Sequence, residues 1–184
     1  MRFHLNERKA AQAAAHLLRR HGGRLPYMSL IKLLYLADRR ALIETGTPIT
    51  GDRMVSMPYG PVLSHVLDLI SHGPRDGSPW FRYVSEPEGY DVALRAADPE
   101  SDALSRYDLE VLDAVDEQHG HLDRWALVAY CHTLPEWKDP EGSSITIDPE
   151  DILRTADVPE DEIRQIAAGA KELEHLARFG LVAA

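Results

Sequence analysis

The sequence predicts a mainly helical fold of the α+β class, a compact helical domain around a buried central helix with one small β-hairpin. Three observations predict it. Leu30, Ile31, Leu33, Leu34, Leu36, Ala37, Ala41 and Leu42 are apolar nearly all round a helix, which marks a central core element. Several other segments carry apolar residues at helical spacing between Gly, Pro and Asp start and stop signals. One stretch, Trp80 to Leu94, alternates apolar and polar residues around Glu86-Pro-Glu-Gly89, the pattern of a hairpin.

In chain order, the first helix is expected from about Leu5 to His21, with Ala10, Ala13, Ala14, Leu17 and Leu18 on one face and Gly22-Gly23 ending it. Pro26 separates it from the central helix, about 28 to 45. Gly60 permits a positive φ, and Pro61 suits the first position of a third helix carrying Val62, Val66, Leu67 and Ile70. That helix ends near Gly73-Pro74, and residues 74–79 form a turn-rich loop before the hairpin. Ser105 and Asp108 are spaced as a capping box for a helix to about His119, and another runs from about Asp123 to Leu134 before Pro135. Asp139 to Thr146 is a polar, turn-like loop. Asp148 and Pro149 open a short helix. The last helix, about Pro159 to Phe179 before Gly180, starts with Glu160, Asp161 and Glu162, which suit the positive end of its dipole. Ile163, Ile166, Ala170 and Leu173 form its apolar stripe, expected to pack on the chain's own core.

With 184 residues, 44% hydrophobic and 27% charged, a single domain over 1–184 is expected. No run is long and apolar enough to span a bilayer, the start lacks a signal-peptide core, and Cys131 is the single cysteine. A cytoplasmic protein without disulfides or membrane association follows as the expectation. The net charge of −10 divides into +6 over residues 1–60 and −16 over the remainder. Either the two halves interleave and cancel locally, or an acidic face awaits a basic partner.

Within the central helix, Lys32, Tyr35 and Arg39 make a narrow polar seam at i, i+3 and i+7, followed by Gly46-Thr-Pro-Ile-Thr-Gly-Asp52 and Tyr59-Gly60-Pro61. The ordered set K-L-L-Y, A-D-R, G-T-P-I-T-G-D and Y-G-P-V resembles the Panacea domain, the SocA-like antitoxin family catalogued among phage-associated proteins. The resemblance is closest over about 28–65 and extends over about 5–137, where His132-Thr-Leu-Pro-Glu-Trp137 is similar to the family's closing His-and-Trp segment. Leu36 stands where the family often has a second aromatic, and 138–184 carries no family motif, so that part is expected to be a helical extension.

The resemblance implies a non-enzymatic antitoxin that neutralises a partner toxin, commonly encoded by the adjacent gene, by direct protein binding; one branch of the family delivers its toxin to a Clp-type protease. Gly51, Gly60, Pro48 and Pro61 are what a tight loop-to-helix junction needs, and Tyr35, Asp38 and Asp52 are expected to hydrogen-bond this loop to the central helix. Tyr59, His132 and Trp137 complete the structural set. Lys32, Tyr35 and Arg39 are the candidates for partner contact, and Arg39, read as partly exposed, should tolerate charge reversal within about 1 kcal/mol of stability.

Other chemistries fare less well. His119, His121, Asp123 and His132 form the best metal-ligand cluster, yet His119 and His121 straddle a glycine and no H-E-x-x-H or C-x-x-C accompanies them, so no metal and no cofactor are expected. Cys131 and His132 are adjacent on a helix and point about 100° apart, wrong for a thiol–imidazole pair. The rival is a winged-helix-like nucleic-acid-binding regulator using Arg82 and Arg95 on the hairpin and Arg2, Arg8, Lys9, Arg19, Arg20 and Arg24, but net −10 opposes it. A small hydrolase is a more distant rival.

Overall fold

The computed structural model describes residues 1–73, 77–95 and 99–178. The start of the turn-rich loop at 74–79 and the stop signal at Gly180 lie outside the described residues.

Asn6 caps the first helix, α1 (Glu7–Arg20), by accepting from the Lys9 amide at 3.0 Å, and the chain leaves through Gly22 and Gly23. Alanines at 10, 11, 13, 14 and 15 are fully buried, so neighbouring elements approach this helix closely. Strand β1 (Arg24–Pro26) leads directly into α2 (Tyr27–Thr45), which ends at Gly46 in the left-handed region, its N–H on the Leu42 carbonyl. All eight apolar positions that defined the central helix are buried, and each of the larger side chains contributes about 1.5 to 3 kcal/mol relative to exposure. Around α2 pack α1, α5 (Arg106–His119), α6 (Arg124–His132) and α7 (Pro149–Thr155).

The strands lie elsewhere than expected. β2 (Met54–Ser56) and β3 (Val62–Leu63) pair antiparallel, and β5 (Ile145–Thr146) adds to the other edge of β2, so the polar segment before α7 supplies a strand. Pro61 therefore leads into β3 and not into a helix; α3 (Ser64–His72) begins after it. The expected hairpin at 80–94 is corrected as well. Trp80–Tyr83 forms one turn of helix, α4, with Trp80, Phe81 and Tyr83 buried, and the strand at Asp91–Ala93, β4, pairs with β1. Aromatic crowding in four residues imitates a strand, whereas three of those rings bury better on a helical turn against α1. The turn itself is real: Glu88 N–H donates to the Asp91 carbonyl, and a single bridge joins Val84 to Leu94.

The helix-start signals after Pro61 hold. The Ser105–Asp108 capping box is reciprocal, Asp123 accepts from the amides of Trp125 and Ala126, and Asp148 caps α7 with Pro149 at its first position. The long last helix, α8 (Glu160–Arg178), packs on α7 with Ile163 and Ala170 buried, and Ile166 covers Gly46 at the end of α2. Leu173 is 52% exposed, so the stripe is covered along most but not all of its length. Deleting residues 158–184 should lower the melting temperature of the isolated protein, since Ile163 alone is worth about 2 kcal/mol of burial; a thermal melt that stays unchanged would assign this helix to a partner instead.

The charges interleave. Arg8 meets Asp102, Lys9 meets Asp108, Arg20 meets Asp113 and Asp116, and Arg24 meets Asp91 and Glu88, each joining the basic amino-terminal part to the acidic remainder. Four of the six amino-terminal residues of the candidate nucleic-acid face are thereby tied to carboxylates. Among the described residues, no helix is long and apolar enough to cross a membrane.

Candidate functional site

Helical phase puts Lys32, Tyr35 and Arg39 on one stripe of α2, and the structure gives each a partner from another segment. Tyr35 Oη donates to Glu136 Oε1 at 2.8 Å; Arg39 donates from Nε to Oε1 at 2.7 Å and from Nη2 to Oε2 at 3.3 Å. The Glu136 side chain has no exposure and Tyr35 has none, while Arg39 retains 20%. Burial, with the Glu136 carboxylate beside it, pushes the Tyr35 hydroxyl well above its ordinary range. Burial disfavours the Arg39 charge, but the bond to Glu136 and the charge of that carboxylate together outweigh it, so its pKa is raised.

Lys32 is 1% exposed and donates to the Pro61 carbonyl at 2.7 Å. Burial lowers its pKa from 10.5 to about 8. This contact is one of three that hold the same turn. Met57 and Gly60 exchange backbone hydrogen bonds across it, Gly60 having φ +87° as its place before Pro61 implied. His132 Nε2 lies 3.1 Å from the Pro58 carbonyl, Trp137 Nε1 donates to the Met57 carbonyl at 3.1 Å, and the two rings stack with centroids 4.1 Å apart. The closing His-and-Trp segment is thus a clamp on the Tyr59-Gly60-Pro61 turn, with Lys32 gripping it from beneath.

Of the expected network, Asp38 and Asp52 are joined through Thr50, whose hydroxyl donates to Asp38 and accepts from the Asp52 amide at 3.1 Å, while Tyr35 stands apart with Glu136. Asp38, fully buried, receives the amide and the hydroxyl of Thr50, which fixes the loop containing the buried Pro48 and Ile49 to α2. Asp52 receives the amides of Arg53, His65 and Val66 and pairs with the His65 ring at 2.6 Å, so it caps α3, which has no side-chain cap of its own at Leu63. Tyr35 belongs with Glu136 because Asp38, three residues on, faces the loop.

Two of the three seam residues, Lys32 and Tyr35, are closed to any partner by burial, which corrects the expectation that the seam as a whole offers itself for contact. Arg39 alone reaches solvent, at the edge of a shallow hollow of about 370 Å³ shared with Leu36, Ile43, His119 and Tyr130. Tyr59, expected to be structural, is 57% exposed. Glu136 went unrecognised in the sequence; the signal that could have found it is that Tyr35 and Arg39 are two donors on one stripe while a carboxylate sits inside the closing His132–Trp137 segment.

The remaining candidates do not converge. His119 lies tilted against Tyr130 with ring centroids 4.4 Å apart, and burial lowers its pKa. His132 is occupied in the clamp, and Asp123 caps α6. Among the described residues no three His, Cys, Asp or Glu side chains come together as a metal set. The Cys131 thiol is buried and pushed up to about 11, far from the thiolate a nucleophile requires.

Two buried groups predict opposite pH slopes. Burial, opposed by the Thr50 bonds, raises Asp38 from 3.8 to about 7, so between these values the native state holds the extra proton and stability should fall as pH rises. Lys32 titrates near 8 when folded and near 10.5 unfolded, so across that window the unfolded chain holds the extra proton and stability should rise with pH. Urea denaturation against pH should show slopes of up to about 1.4 kcal/mol per unit, the first abolished in Asp38→Asn and the second in Lys32→Met; slopes that persist in these variants would reject the assignment.

A family model described as antitoxin SocA-like, Panacea domain, matches residues 30–138, from the first buried turn of α2 to just past Trp137. No curated protein matches the chain, and no solved structure does.

Proposed function

The chain belongs to the SocA-like antitoxin family of Panacea domains, and from that membership we propose that it neutralises a partner toxin, the product of the adjacent gene, by direct protein–protein binding in the cytoplasm. The observation that carries the reading is the extent of the match, which takes in both halves of the clamp: the seam on α2 with its loop, and the His132–Trp137 segment that closes on it. The role is non-catalytic. Supporting this, the most reactive side-chain type present, the Cys131 thiol, is buried and held protonated. Binding to protein, not nucleic acid, is supported by the carboxylates that occupy Arg8, Lys9, Arg20 and Arg24.

Within the motif, Asp38, Pro48, Gly51, Asp52, Gly60, Pro61, His132 and Trp137 serve to hold the loop and turn in place. Lys32 and Tyr35 act from beneath them, and Arg39 is the seam's one accessible member. A shared scaffold with a variable partner-reading surface suits a family whose members face different toxins.

The test is co-expression with the neighbouring gene. The neighbour's product should arrest growth alone, be tolerated when this chain is present, and co-purify with it. A neighbour that is harmless alone, or that stays toxic in the presence of this chain, would reject the antitoxin role. The toxin's half-life then divides the modes: occlusion leaves it stable in the complex, whereas delivery to a Clp-type protease shortens it only in cells that contain the protease.

A further inference from the structure

The clamped turn holds Tyr59 outward, and two other segments bring exposed rings to the same place. Tyr59, 57% exposed, meets Trp125 edge-on with centroids 5.9 Å apart and planes at 68°. Trp125, 53% exposed, stands in the first turn of α6, where Asp123 fixes the helix start. The neighbouring Arg124 guanidinium lies 5.3 Å from the Trp125 ring centroid and 4.7 Å from that of Tyr90, which is 65% exposed in the turn before β4. Three well-exposed rings from three separate segments therefore form one run, Tyr59 against Trp125, with Arg124 between Trp125 and Tyr90. Such rings carry 150 to 250 Å² each and are seldom left together in water without a use.

The charge at the centre identifies what the patch would take. This chain has 30 acidic residues against 20 basic ones, and Arg8, Arg20, Arg24, Arg39, Arg40, Arg82, Arg106 and Arg154 each hold a carboxylate. Arg124 makes no ion pair with a carboxylate among the described residues; it lies against the two rings and feels the charge of the adjacent Asp123. The nearby acids are engaged: Asp91 and Glu88 by Arg24, and Asp123 by the amides of α6. A second copy of this chain turned face to face would thus set cation against cation, with Asp91, Glu88 and Asp123 already engaged. A nucleic acid would bring phosphates against a chain of net charge −10 with those same carboxylates at the border.

We propose that Tyr59, Trp125, Arg124 and Tyr90 form the docking surface for the partner protein, and that they receive a segment presenting a carboxylate beside an apolar side chain. The identification of that partner rests on the antitoxin reading; the patch itself rests on the geometry. Trp, Tyr and Arg are the residues that dominate binding energy at protein interfaces, and the carboxylate answers the uncommitted guanidinium with a bidentate pair. The buried motif acquires a purpose through this surface: Lys32, His132 and Trp137 fix the turn that presents Tyr59.

The experiment measures affinity for the purified product of the adjacent gene by calorimetry, alongside growth on co-expression. Trp125→Ala and Arg124→Glu should each weaken the complex roughly 30-fold or more, while circular dichroism melts stay close to wild type because Trp125 is exposed and the half-buried Arg124 makes no ion pair among the described residues. Arg106→Glu, at an exposed position on α5, should change affinity less than about threefold. Unchanged affinity in both patch variants overturns the docking surface even where the antitoxin role stands. Patch-dependent binding of a neighbour that is harmless alone overturns the antitoxin role and leaves the surface standing. Absence of any complex with the wild-type chain overturns the proposed partner, and a Trp125-dependent dimer of this chain in ultracentrifugation, or Trp125-dependent binding of a labelled single-stranded oligonucleotide, overturns the proposed occupant.

Discussion

Arg39→Glu is expected to destabilise the protein by roughly 3 to 5 kcal/mol, the cost of breaking a buried ion pair by removing one partner. At this chain length that corresponds to a fall in melting temperature of about 6 to 20 °C. Arg39 supplies two hydrogen bonds to Glu136, whose side chain has no exposure, and Tyr35 supplies a third. Reversal removes the cation and sets a second carboxylate beside the first, leaving the Tyr35 hydroxyl to satisfy a buried anion alone. The sequence suggested otherwise, since a partly exposed arginine on a helix stripe ordinarily tolerates reversal; the difference lies in the partner, which is buried although Arg39 itself is not. Arg39→Lys should cost less, keeping the charge and losing the planar fork. Replacing the set together, with Arg39→Met, Glu136→Leu and Tyr35→Phe, should recover much of the loss, because apolar packing removes the desolvation cost along with the pair. Urea denaturation of the four proteins checks the argument, and an Arg39→Glu variant within 1 kcal/mol of wild type would show that Glu136 is not held as an anion.

How much of this was legible in the sequence depends on how far apart the interacting residues lie. The central helix, its polar seam and most helix starts rest on residues within a turn of one another, so the spacing of Lys32, Tyr35 and Arg39, or of Ser105 and Asp108, carries the information locally. Glu136 is 101 residues from Tyr35 and has no local signature as an acceptor. The strands fail for a related reason. Three residues of β1 pair with three of β4 across the chain, too short for an alternation to register, and the turn at Met57–Gly60 is defined by Lys32, His132 and Trp137 together. The charge asymmetry between the two parts of the chain was visible, but only the packing of α1 on α5 shows that Arg20 and Asp116 spend it on each other. Tyr90 and Trp125 were unremarkable as isolated aromatics and Tyr59 stood out only as a motif residue; that they come to one place is a property of three separate turns.

Gly51→Ala should be the more damaging of two single-methyl substitutions in the motif, with Gly60→Ala behind it, because the atoms each new Cβ meets differ in their freedom to move. Both glycines have positive φ, +71° and +87°, a conformation that costs a side-chain-bearing residue about 1 to 3 kcal/mol. A Cβ at position 51 would also lie 2.3 Å from the His4 carbonyl oxygen and 3.1 Å from its carbon. That is backbone, tied two residues later by the Asn6 amide to the Thr50 carbonyl at 2.8 Å, so the amino-terminal segment would have to shift as a whole. Overpacking of this kind adds about 1 to 3 kcal/mol, for a total of roughly 2 to 6. At position 60 the nearest atoms are Cys131 Cβ at 3.1 Å and Lys32 Nζ at 3.2 Å, the latter the end of a flexible side chain, so strain at φ dominates and the total stays near the lower end. Gly60→Val raises that cost through its branched Cβ and displaces Lys32 from the Pro61 carbonyl, so it should weaken partner binding by loosening Tyr59 as well as lower stability. Urea midpoints with unchanged denaturant slopes give the ordering. Equal losses at the two positions would mean that the segment around His4 moves freely, whereas a fully stable Gly60→Val protein that binds its partner undiminished would detach the turn from both the fold and the interface.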